Sequence, residues 1–152
     1  MLAVLIAVGA VGFALFQTAA PTGIPEHELA ALRQALASTE SGSIMPCRAH
    51  PTLPDSIEPD QALSEPMRER DLYDLEQLVL RRPVLRLLQS RRPCHEPTHL
   101  IRLQLSDETT YDMVISTTCM SIRLNGGETR PLSRQWASGL IALLQSKGLF
   151  DS

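Results

Sequence analysis

The sequence predicts an α+β fold, with a small antiparallel sheet of three or four strands packed by helices, a C-terminal one among them, behind an N-terminal apolar helix. Three observations predict it. The first twenty residues, MLAVLIAVGAVGFALFQTAA, contain no charged side chain. Between Thr98 and Leu132, apolar and polar residues alternate in short runs separated by turn residues. From Ser133 to Gly148, apolar residues recur at helical spacing between a capping residue and a stop signal.

A chain of 152 residues allows one domain plus a short extra segment. Residues 1–20 form that segment, as a signal peptide or a single transmembrane anchor. A span needs about 20 apolar residues, so the run is just long enough. It lacks the basic start of a cleavable signal, although Thr18-Ala19-Ala20 before Pro21 offers small residues to a peptidase. An uncleaved anchor is the preferred expectation. The flank that follows, PTGIPEHE, is acidic, and the first Lys or Arg is Arg33. Positive charge therefore does not hold that side in the cytoplasm, and residues 21–152 are expected outside it. The net charge of −3 is not that of a nucleic-acid binder.

Ile24 to Ser38 reads as a helix, with Pro25 in its first turn and Leu29, Leu32 and Leu36 on one stripe. Prolines 46, 51, 54, 59 and 66 then deny a long helix or a central strand, which predicts an extended linker from Ile44 to Pro66. The expected division is thus 1–20, a helix plus proline-rich linker over 21–63, and an α+β domain over 64–152. Ser64 is the expected cap of a helix running to about Arg81, with Leu72, Leu75, Leu78 and Val79 inward, and Pro83 stops it. VLRLL, residues 84–88, is a candidate first strand. THLIRLQL and TYDMVIS alternate around the turn SDET, and Tyr111, Met113 and Ile115 share a face. If Ser106 faces Thr109, paired residue numbers in this hairpin sum to 215. MSIRL, the hairpin signal NGG and a return strand from about Glu128 to Leu132 complete the sheet. Ser133 caps the last helix, Trp136, Leu140, Leu143 and Leu144 face inward, and Gly148 ends it.

The motif with a catalytic spelling is HEPTH, His95 to His99, which matches the HExxH of zinc metalloproteases. That chemistry needs a helix, which sets two histidines about 6 Å apart on one face with the Glu beside them. Pro97 occupies the third position and pushes Glu96 toward extended geometry. In an extended chain the histidines stand roughly 13 Å apart and do not share one ion. A surface loop is therefore expected at His95–His99, with no metal, no cofactor and no catalytic residue. Cys47 and His50 with Cys94 and His95 or His99 would make a Cys₂His₂ set, but not at a finger's spacing. Cys119, in TTCMS, sits in a strand pattern with no base assigned to it, and a buried or bridged role is expected.

Two sets of residues remain as candidate sites. In an oxidising compartment the sum-215 register brings Cys94 and Cys119 within a residue or two of each other, so a Cys94–Cys119 disulfide is expected, with Cys47–Cys94 its rival. RRPVLRLLQSRR places Arg81, Arg82, Arg86, Arg91 and Arg92 within twelve residues on an otherwise slightly acidic chain. Guanidinium clusters of this kind recognise phosphates, carboxylates, anionic head groups and acidic protein surfaces. A solvated strand edge defended by charge would carry the same residues. The functional expectation is a non-catalytic binding or accessory module of the cell envelope, tethered or secreted, whose partner is a protein or an anionic envelope component. The alternatives are a metal-dependent hydrolase using the His95-Glu96-His99 loop and an accessory subunit of a membrane protein complex.

Overall fold

The computed structural model describes residues 24–53, 56–80 and 96–150. Three helices and an antiparallel sheet make up the described chain. Helix α1 (Glu26–Ala37) leads directly into strand β1 (Thr39–Ala49). Two short strands, β2 (Ile57–Pro59) and β3 (Glu65–Pro66), flank a single 3₁₀ turn at Gln61–Leu63. Helix α2 (Glu69–Leu80) is followed, beyond undescribed chain, by β4 (His99–Leu105), β5 (Thr110–Ser116), β6 (Ser121–Leu124) and β7 (Thr129–Pro131). Helix α3 (Arg134–Ser146) closes the fold. The sheet order is β2-β1-β4-β5-β6-β7, with β3 beside β1. The α+β class stands, but the sheet is larger than the three or four strands expected, because residues assigned to the linker contribute three of its strands.

The linker is the main correction. β1 lies inside the sheet, paired with β4 from Thr39↔Leu105 to Pro46↔His99. A proline in an interior strand needs a place where its missing N–H does no harm. Cys47 donates its N–H to the carbonyl of Thr98, just before β4, 2.9 Å away, so the neighbouring Pro46 faces the opposite edge. On that edge β3 stops at Ile44↔Glu65 and β2 begins at Cys47↔Pro59. Pro46 falls in the gap between them, and its carbonyl still accepts from the Asp60 N–H at 2.8 Å. Two short strands divided at a proline can cover an edge that one long strand could not.

Helix α2 starts five residues after the expected cap. Ser64 ends the 3₁₀ turn, and the chain stays extended through Pro66. The Asp71 carboxylate instead reaches back to the Arg68 N–H at 2.6 Å and satisfies one of the helix's free donors. α3 behaves as its sequence predicts. Ser133 Oγ accepts from the Trp136 N–H, and at the other end Leu149 N–H reaches the Leu144 carbonyl while Gly148 N–H reaches that of Gln145. That double bond pattern needs a left-handed residue, and Gly148 supplies it at φ +67°.

The sheet meets all three helices on one face. Leu29, Leu32, Leu75, Val79, Trp136, Leu140 and Leu144 pack onto Ile44, Ile101, Leu103, Met113, Ile115 and Ile122. The β4–β5 pairs sum to 214, as in Ile101↔Met113 and Leu103↔Tyr111, and not to 215. The loop is three residues, Ser106 to Glu108: Leu105 N–H bonds the Thr109 carbonyl, and Glu108 takes φ +66°. Residues directly opposite in an antiparallel pair share a face, so a sum of 215 would set Ile101 against Val114 and Leu103 against Asp112. Apolar burial selects the even sum.

Candidate functional site

The described half of HEPTH is not a metal-binding helix. Glu96 and Pro97 are irregular, and His99 opens β4 with its side chain on the helix-covered face. The expected surface loop is therefore corrected at His99, which is 7% exposed. Its Nε2 lies 2.9 Å from the Leu149 carbonyl oxygen and so donates to it, fixing the end of α3 to the start of β4. Its Nδ1 lies 2.9 Å from Thr98 Oγ1. Both nitrogens are thus engaged within the fold. Burial holds the imidazole below its ordinary range, against the opposing pull of the Leu149 carbonyl. Thr98 Oγ1 also lies 3.1 Å from the Ile115 carbonyl and 3.1 Å from Thr117 Oγ1, so its one proton is shared between that carbonyl and the ring while Thr117 can donate to it. The cluster is a polar knot that joins three chain segments. His95 lies outside the described residues, and no group of three or more potential metal ligands occurs among the described ones.

The cysteines occupy different settings. Cys47 is a buried free thiol on the far face of β1, beside Met45 and Leu100. Burial pushes it up to about 12 despite the nearby Arg123 charge, so it is protonated and inert at neutral pH. Cys119 lies in the turn from Thr117 to Met120 between β5 and β6, not in a strand as its sequence suggests. Its N–H donates to Ser116 Oγ at 3.0 Å, and its thiol is not free. Cys94 lies outside the described residues. The register is 214 and the ladder yields to a turn after Ser116, so the described strand pairing does not extend to Cys119.

Arg81, Arg82, Arg86, Arg91 and Arg92 also lie outside the described residues, as do the candidate strand VLRLL and the apolar segment 1–20. Among the described residues, no helix is long and apolar enough to cross a membrane.

Two features escaped the sequence. The first is a latch between α2 and α3. Lys147, the chain's one lysine, meets Asp71 at 2.5 Å and donates to the Pro66 carbonyl at 2.9 Å. Burial works against the Asp71 charge, but hydrogen bonds from Lys147 and the Arg68 N–H outweigh it and hold the carboxyl below the usual range. A lone lysine among thirteen arginines was the available signal. The second is a groove of about 430 Å³ between the same helices, floored by Leu75, Leu78 and Leu143 and flanked by Tyr73 and Asp74. On the sheet's far face, Arg102 forms a two-point bridge to Asp112, at 2.8 and 2.7 Å. Compared with protein-family models, curated proteins and solved structures, the chain matches none.

Proposed function

We propose that the chain is a small, non-catalytic binding or accessory module of the cell envelope, held at the membrane by residues 1–20 or secreted, with residues 21–152 outside the cytoplasm. One observation carries this reading: five arginines fall within twelve residues of a chain whose net charge is −3. The cluster lies between the end of α2 and the start of β4, so both of its flanks belong to the packed domain. Arginine suits such a site because its planar fork binds carboxylates and phosphates at two points. The partner is an acidic protein surface or an anionic component of the envelope.

The experiment reverses part of the cluster in the full chain. Arg91→Glu with Arg92→Glu is expected to abolish co-sedimentation with vesicles rich in anionic lipid, or capture of the native protein partner, and to leave the unfolding midpoint unchanged. Unaltered binding would reduce the cluster to charge that keeps a strand edge soluble.

A Cys94–Cys119 disulfide belongs to the same extracytoplasmic reading. What supports it is the contrast between Cys119, whose thiol is not free, and Cys47, which is a buried free thiol. Closing that loop stabilises the domain by roughly 3 kcal/mol in the chain-entropy model. Non-reducing peptide mapping is expected to recover a peptide linking the two residues; Cys119 found alkylated in oxidised protein would remove the bridge.

A further inference from the structure

We infer that the end of the sheet where α1 begins rests on a phospholipid bilayer, with Leu53 and Met120 as its points of contact; this builds on residues 1–20 being the anchor proposed above. One row of paired residues marks that end. Pro46 pairs with His99, His99 with Ile115, Ile115 with Ile122 and Ile122 with Arg130. Arg130 in turn meets Glu28, in the first turn of α1, at 3.0 Å. From Glu28 the helix runs away from this row, because Ala37 leads directly into Thr39 at the opposite end of β1. The start of α1 therefore shares an end of the sheet with the loop after β1 and the turn after β5.

The tether is short. A run of 20 apolar residues is used up in crossing about 30 Å of hydrocarbon. Ile24, packed against the core, comes only four residues after Ala20. Four residues span at most about 14 Å when fully extended. That distance brings the start of α1 to the bilayer surface, and the loops decide which part of the domain touches it. The turn Thr117–Met120 carries no charge, and Met120 is 42% exposed. Its φ of +48° is one that glycine would take without strain, and the Leu132 N–H holds the Met120 carbonyl at 2.8 Å. Leu53, 54% exposed, stands in HPTLPDS, the loop after β1, whose one acid is Asp55. At the opposite end of the sheet, about 20 Å away along β4, Glu40, Asp107 and Glu108 are all exposed. Several charges near the tethered end are paired: Glu26 with Arg33 at 2.7 Å, Glu28 with Arg130, and Arg48 with Glu58 at 2.8 Å. Glu96 and His27 are exposed there as well, so the contact is confined to the two apolar tips. Apolar tips enter the headgroup layer without stripping water from a charge, and the acidic end does not.

The test places a tryptophan at Leu53, at Met120 or, on the opposite end, at Ser106 of the full chain. Each variant is reconstituted into phosphatidylcholine vesicles with and without a headgroup nitroxide lipid, a zwitterionic bilayer that gives the arginine cluster no net charge to follow. The signal is the emission added to that of the buried Trp136. Leu53→Trp and Met120→Trp are expected to lose most of it to the nitroxide and to emit farther to the blue. Ser106→Trp, which controls for the ring's own affinity for lipid, is expected to lose little. Circular dichroism checks each fold, and Leu53→Trp, free of a positive φ, carries the test if Met120→Trp does not fold. A chain that fails to float with the vesicles overturns the anchor and this inference together. A chain that floats but is quenched equally at positions 53 and 106, or at neither, overturns this inference alone.

Discussion

The two faces of the sheet are built differently. Apart from His99 at the start of β4, the helix-covered face is mainly apolar from β1 to β6, and α1, α2 and α3 all pack on it. The far face is divided. At one end Met45, Cys47 and Leu100 are buried with Ile57 and Val114 against them. At the other, Arg102 and Asp112 bridge across neighbouring strands in partial contact with water. The contrast separates what makes the chain fold from what is left to decorate it: burial on one face, and mostly polar pairing on half of the other.

The largest expected effect breaks this comparison if it fails. Met113→Ala, on the helix-covered face, is expected to cost about 2–5 kcal/mol in chemical unfolding, because it leaves a cavity in packed surroundings. Arg102→Ala on the far face is expected to cost no more than about 1 kcal/mol, the ordinary ceiling for an ion pair that water reaches. Comparable losses at the two sites would mean that the faces are equivalent and that the far face bears the fold as well.

A smaller effect sharpens the picture at the seam. His99 is buried and its pKa lies below the unfolded value, so the folded state disfavours the charged ring. Stability from this group is therefore fully present above the unfolded value, near 6.5, and is lost as pH falls below it. One proton sets the upper slope at about 1.4 kcal/mol per pH unit. In His99→Gln, whose amide can still donate to the Leu149 carbonyl, the midpoint should lose this component of its decline between pH 7 and 5. An unchanged pH profile would place the titration elsewhere.

The second half of the fold was legible because its signals are local. Ser133, Gly148 and the NGG turn act through their own backbone neighbours, and the odd-numbered apolar residues of β4 and β5 mark the buried face directly. Parity alone excludes the sum of 215, since two odd-numbered stripes that share a face must pair to an even sum. The turn spelling SDET misled because Glu108 adopts a positive φ that its residue type does not announce. β1 was illegible for a different reason. TESGSIMPCRA has little alternation, and Pro46 is tolerated only because of where two distant short strands stop and start. His99 was visible as a histidine, but its bond to Leu149, fifty residues away, has no trace in the motif around it.

The central claim, a binding module working outside the cytoplasm, is tested most directly by topology. A reporter active only in the cytoplasm, fused after Ser152 of the full chain and expressed in its native membrane background, is expected to stay inactive, while a reporter that matures only outside is active at the same position. A fully active cytoplasmic fusion would contradict the account.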